Sequence, residues 1–281
     1  MERYYYFLAK RPLLCTFLLG IPLAAIYGLL LYSLDAHIAL VIAISLLMLL
    51  VTRVYVNSAP SIKLTNKALA AHNAGDPYPL LEVSERLLAL KPNEVQRQML
   101  TINYCVALRD LGEHERVYQA LSALDIDKCA GTLAQTKLVY YHNMADICDI
   151  LGKDGEADAY FTKEKQCAER LKGEKLRRRL YPLILDAEAD HALRHGRYEE
   201  ALAYAKQAHA YREITPRANI FYELFLARVY LKMGKAEEAK PLLFSIKNTG
   251  GKLYAVTEAE ALLKECEQEN SRQEDGDGNQ N

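Results

Sequence analysis

"HGRYEEALAYAKQA", His195 to Ala208, decides how this chain is read. With His191 just ahead of it, the stretch sets two histidines, a lysine, two tyrosines and the adjacent carboxylates Glu199 and Glu200 within a few helical turns. These are the residue types that general acid and base catalysis needs, so an active site is the first reading to test. A catalytic loop occurs once. Here a glycine followed within a few residues by an acid, and then by an apolar run, recurs: "NAGDPYPLLEVSERLLAL" at Gly75, "DLGEHERVYQALSAL" at Gly112, "ILGKDGEADAYFTKE" at Gly152, "RHGRYEEALAYAKQA" at Gly196 and "KMGKAEEAKPLLFSI" at Gly234. The glycines lie 37, 40, 44 and 38 residues apart, a period that signals stacked supersecondary units and not a single catalytic loop.

Alignment on these glycines turns the recurrence into structure. Seven residues before each stand Ala68, Cys105, Ala145, Ala189 and Ala227, all small, as a close helix crossing requires. Four before stand Ala71, Leu108, Cys148, Ala192 and Tyr230, and five after stand Leu80, Val117, Ala157, Ala201 and Ala239. That spacing lines apolar side chains along one face of two successive helices. The glycine is then the turn between them, where a positive φ ends the first helix, and the acids open the second, where the macrodipole favours negative charge. Glu199 and Glu200 are read as helix-start residues, not as a catalytic pair.

A helix with small and large apolar residues, a short glycine turn, and a second helix with an early alanine resembles the tetratricopeptide repeat. "HGRYEEALAYAKQA" and "LARVYLKMGKAEEAKPLL" carry the resemblance best. It implies an all-α fold, an α-solenoid of about five helix pairs over residues 57–264, and an interaction module without catalytic or cofactor-binding residues. Spacings above the family's usual length imply longer helices or connections in the middle repeats. In the family's geometry the residues ten and six before the turn glycine line a concave groove: Thr65 and Leu69, Ile102 and Val106, His142 and Asp146, Asp186 and Asp190, Leu224 and Arg228. With Asp149 added, the expected partner-binding residues are His142, Asp146, Asp149, Asp186, Asp190 and Arg228, with acid dominating and a basic protein or peptide segment as the expected partner.

The front of the chain reads differently. Pro12 to Leu34 has no charged residue over 23 positions, and "AHIALVIAISLLMLLVT" from Ala36 adds 17 more with only His37 titratable. Each run is about the length that crosses a hydrocarbon core of roughly 30 Å as a helix. The expected organisation is a short N-terminus over 1–11, spans over 12–34 and 36–56, the solenoid, and a polar disordered tail over 265–281. Arg3, Lys10 and Arg11 precede the first run and Arg53, Lys63 and Lys67 follow the second, while "SLDAH" between them has no Lys or Arg. Both termini are expected in the cytoplasm, with the chain held in the membrane as a two-pass protein. Gly20, Ala24 and Gly28 on one helix, and Ala39 and Ala43 on the other, give the small-residue spacing that lets membrane helices approach.

Cys15, Cys105, Cys129, Cys148, Cys167 and Cys266 form no Cys-x-x-Cys pair, which fits a reducing compartment and argues against a zinc or disulfide framework. The net charge of −1 makes no case for nucleic acid. "KEKQCAERLKGEKLRRR", Lys163 to Arg179, is locally basic and reads as a solvated helix end between repeats. Phosphate-loop, dinucleotide, zinc-protease and nucleophile-elbow motifs are absent from the sequence. The one polar cluster with metal-ligand chemistry is Asp186, Asp190 and His191 in "DAEADHALRH"; it is the alternative, metal-dependent reading.

Overall fold

The computed structural model describes residues 2–33, 37–128 and 132–277. The expected turn between the apolar runs, Cys129 and the last four residues of the expected tail lie outside the described residues. Among those described there are thirteen helices: α1 (Glu2–Lys10), α2 (Pro12–Ser33), α3 (Ile38–Asn73), α4 (Tyr78–Leu88), α5 (Glu94–Asp110), α6 (His114–Ser122), α7 (Ala134–Ile150), α8 (Asp154–Glu169), α9 (Glu174–Arg194), α10 (Tyr198–Tyr211), α11 (Pro216–Lys232), α12 (Ala236–Thr249) and α13 (Tyr254–Asp277). They fall into two compact units, one of Met1–Leu69 with Val83–Pro92, the other of Ala70–Glu82 with Asn93–Asn281.

In the first unit α2 and α3 are long and apolar enough to cross a membrane. Glycine makes their approach close: the site of a Cβ on Gly20 lies 3.1 Å from the Leu49 side chain, and that on Gly28 lies 3.4 Å from Ser45 Oγ. Hydroxyls in these helices bond back to their own backbone, Thr16 to Pro12 O at 2.7 Å and Thr52 to Met48 O at 2.8 Å, so they carry no unmet hydrogen bond into an apolar setting. Leu8 of α1, Cys15 and Val56 form a small core beside them. The division expected near residue 57 does not interrupt α3, which runs on to Asn73. No glycine stands between Gly28 and Gly75 to end it, and Pro60 removes only one backbone donor.

The second unit is built from glycine-turned hairpins. Gly112, Gly152, Gly196 and Gly234 separate α5 from α6, α7 from α8, α9 from α10 and α11 from α12, while Gly75 separates α3 from α4. All five have positive φ, between 68° and 95°. Each turn closes the same way: the residue after the glycine donates to the carbonyl four before it, Asp76 to Ala71, Glu113 to Leu108, Lys153 to Cys148, Arg197 to Ala192 and Lys235 to Tyr230, at 2.8 to 3.1 Å. This is the Schellman arrangement, which satisfies carbonyls that a helix end leaves open. At Gly112 a side chain is excluded twice, by φ of +81° and by the Tyr254 ring, which would stand 2.4 Å from a Cβ.

The core passes from hairpin to hairpin. Cys105, Leu108, Val117, Met144, Cys148 and Ala157 share one cluster across α5 to α8. Ala192 and Ala201 meet Val229 across the next junction, and Ala227 and Ala239 join Ala255, Ala259 and Leu263 of α13, which closes the stack. Longer spacing in the middle comes from the extended connection after α6 and from α9, 21 residues long with Pro182 inside it. Helix α13 runs past residue 265, where the polar tail is expected to begin. It reaches Asp277 and Cys266 is 2% exposed. Cys266 continues the buried stripe of Ala259 and Leu263.

Candidate functional site

The first helices of successive hairpins, α5, α7, α9 and α11, bring the sequence-selected polar residues to one face of the second unit. Asp146 and Asp149 lie on α7, Asp186 and Asp190 on α9 and Arg228 on α11. The carboxylates do converge, and they are mostly clasped. Arg109 Nη1 of α5 donates to Asp146 Oδ2 at 2.6 Å, Arg194 Nη1 of α9 donates to Asp149 Oδ1 at 3.0 Å, and Arg212 donates to Asp186. Arg228 is taken by Glu258 of α13 through two bonds of 2.6 and 2.7 Å. The expected open acidic wall is therefore an interlocked array of ion pairs running from helix to helix.

Asp190 has no such clasp among the hydrogen bonds and ion pairs described. Burial, and then the charges of Asp146, Asp186 and Asp149, outweigh His142 and hold its carboxyl well above the usual range. Asp146 goes the other way: burial opposes its charge, but Arg109 and His142 outweigh it. Two acids in one array are thus shifted in opposite directions, because one has a guanidinium in contact and the other has mainly acids.

His142 is the cation at the centre. Its side chain keeps 11% exposure, and Nδ1 lies 3.2 Å from Glu164 Oε1 of α8, whose side chain is 2% exposed. The contact is ionic without hydrogen-bond alignment, and both Glu164 oxygens lack another partner. Burial works against the imidazolium, yet Glu164, Asp146 and Asp186 together push His142 up to about 9. Glu164 itself is raised, chiefly by burial. These groups border a small cavity of about 10 Å³ with Phe161, Ala187, His191 and Arg194, room for roughly one water.

Two positions assigned to the groove lie elsewhere. Ile102 and Leu224, ten before their turn glycines, are 5% and 2% exposed and pack in the hydrophobic clusters. Longer apolar side chains at that position gain more from the core than from a wet face. The metal-type cluster of the sequence is also divided: Asp186 is held by Arg212, whereas His191 stands with His195 and with Asp158 of α8. The small residues Ala68, Cys105, Ala145, Ala189 and Ala227 are buried, each at most 9% exposed.

Sequence reasoning missed the clasping residues. Arg109 and Arg194 stand three and two before their turn glycines, so the repeat register alone offered them as partners for Asp146 and Asp149. Asp110 had no such signal. Its carboxylate is fully buried and takes bonds from His72 Nε2 at 2.7 Å and from Arg217 Nη2 at 2.8 Å, with Arg109 Nε 3.6 Å away. Burial opposes its ionisation, but Arg217, His72 and Arg109 hold it far below the ordinary carboxylate range.

The tetratricopeptide repeat family model matches residues 192–255, from the end of α9 through α10, α11 and α12 into α13. No curated protein and no solved structure matches the chain. The matched hairpins and the all-helical architecture support a tetratricopeptide-type protein, in general a non-enzymatic fold for protein interaction.

Proposed function

We propose that the chain is a membrane-tethered interaction module, with α2 and α3 crossing the bilayer as a hairpin, both termini in the cytoplasm, and the repeats offering their polar face to a cytoplasmic protein or peptide. The observation that carries this reading is the pairing, in one chain, of a tetratricopeptide match with two helices whose outer faces are bare apolar side chains. Leu18, Leu29 and Leu46 are 60%, 70% and 61% exposed. Such faces are costly in water and at home in lipid, and the back-bonded threonines on the same helices suit that setting. The basic flanks and a turn without Lys or Arg support the orientation.

Ion pairing refines what the face recognises. A partner's Lys or Arg meets carboxylates that already hold arginines, so it binds by exchange, with Asp149 and Asp186, 36% and 31% exposed, the more accessible of the clasped acids. The face is thereby pre-ordered and selective more than strongly attractive. A photo-crosslinking residue placed at Asp186 should capture a discrete partner in cells, and one at exposed Lys206 on α10 should not. Capture only from Lys206, or from neither, would refute recognition on this face.

A further inference from the structure

Beside Arg194 and the small cavity, at the same α8 and α9 junction, Asp158, His191 and His195 bring three ligand atoms within 4.8 Å of one another. The two histidines are one turn apart at the end of α9, so their rings share a face, and Asp158 comes from the second turn of α8.

Each ring is oriented by something other than Asp158. His191 stacks on Phe161, with centroids 4.2 Å apart and planes 19° from parallel. His195 Nδ1 lies 3.0 Å from the His191 carbonyl oxygen. A carbonyl only accepts, so Nδ1 carries the proton, and in the neutral ring Nε2 keeps its lone pair. That Nε2 faces Asp158 Oδ2 across 3.6 Å, and His191 Nδ1 faces Asp158 Oδ1 across 3.4 Å. Both gaps are long for a hydrogen bond. They fall in the range, roughly 3.3 to 3.6 Å, that separates two ligand atoms held at about 2.0 to 2.2 Å by one tetrahedral ion, with each carboxylate oxygen facing one imidazole. A backbone carbonyl fixing the far nitrogen of a ligand histidine is the usual support for such a site.

We infer that Asp158, His191 and His195 form a binding site for a divalent transition-metal ion of the zinc class, with its remaining position open to water. The donor set, two imidazoles and a carboxylate, selects zinc, cobalt or nickel over magnesium or calcium. Arg194 is the competing cation: Nη2 lies 3.0 Å from Asp158 Oδ1 and 3.4 Å from His191 Nδ1. Its other arm holds Asp149, 3.0 Å away. An ion seated on Asp158 and the two imidazoles frees that arm of Arg194 without costing its bond to Asp149, and pins the second helix of one hairpin to the first helix of the next. The site stands independently of the partner-binding proposal.

The test uses the full chain without a histidine tag, purified in detergent, treated with chelator and titrated with zinc against a chromophoric competitor, with cobalt as a spectroscopic probe. One equivalent should bind, with the visible absorption of a low-symmetry cobalt centre bearing nitrogen and oxygen ligands and no thiolate charge-transfer band, which separates this site from the cysteines. His195→Gln, at a side chain 43% exposed where folding is not at stake, should weaken binding at least tenfold, and Asp158→Asn likewise. Arg194→Lys reports separately on competition for Asp158. Equal affinity in wild type and His195→Gln, an absence of tight zinc in both, or a sulfur-ligated cobalt spectrum would overturn the proposal.

Discussion

Arg217 and Asp110 are 107 residues apart and share two hydrogen bonds, one of them Nη2 to Oδ1 at 2.8 Å. Arg217 stands at the start of the last hairpin's first helix and Asp110 at the end of the second hairpin's. Non-neighbouring hairpins therefore touch, whereas a simple stack couples only neighbours. Arg217 also lies over the Phe221 ring, 4.7 Å from its centroid, with Arg109 on the same ring at 5.9 Å. Phe221 keeps the two cations apart while both face Asp110.

This contact makes the unit more cooperative than its repeats alone would be. Arg217→Met leaves a buried carboxylate short of its main counter-charge and should cost about 3 kcal/mol. Denaturant unfolding of the variant should show the loss, together with a broader or two-step transition. An unchanged single transition would mean that the bridge contributes nothing to coupling. Asp110→Asn with Arg217→Met should recover part of the loss, since the uncompensated charge is gone.

His142 gives the unit a pH dependence of known sign. Its folded proton affinity is raised to about 9, above the ordinary value of 6.5, so its contribution is complete below pH 6.5 and is lost as pH rises through 9. The difference corresponds to roughly 3 kcal/mol at most. Melting temperature should fall between pH 7 and 10 in wild type, and His142→Gln should be less stable at pH 7 with a flatter profile. Parallel profiles would exclude His142 as the titrating group.

Asp190 and Asp146 should respond in opposite ways to the same change. Asp190→Asn removes a carboxyl whose ionisation is opposed by burial and by the neighbouring acids, and stability should be unchanged or slightly higher near pH 7. Asp146→Asn strips Arg109 of its partner and should cost on the order of 1 to 3 kcal/mol. Thermal melts of the two single variants decide it. For partner capture Asp190→Asn is the clean variant, because any loss of binding cannot be laid to a broken clasp.

Orientation in the membrane is tested by impermeant thiol labelling of intact cells. A cysteine at Ser33, beside the expected outer turn, should react from outside; one at Lys252, whose side chain is 58% exposed, should be protected until the membrane is opened. Labelling of Lys252→Cys in intact cells would place the repeats outside and overturn the topology.

Five glycines, the alanines and cysteine seven before them, and the acids behind them were legible in the sequence because each answers to local physics. A positive φ, a helix crossing and a macrodipole repeat wherever the hairpin repeats. The apolar runs were legible for the same reason, since hydropathy over a helix length needs no knowledge of neighbours. The charges on the polar face were not. That Asp146 is spoken for by Arg109, that Asp190 is left among acids that oppose its ionisation, and that His142 is driven to a cation by Glu164 all depend on which helix lies alongside. Coulomb energies change with distance and burial, neither of which the order of residues fixes. Arg217 and Asp110 show the limit most clearly: only the path of the helices through space decides that two residues so distant in sequence meet, and a buried carboxylate then takes whichever cations that path delivers.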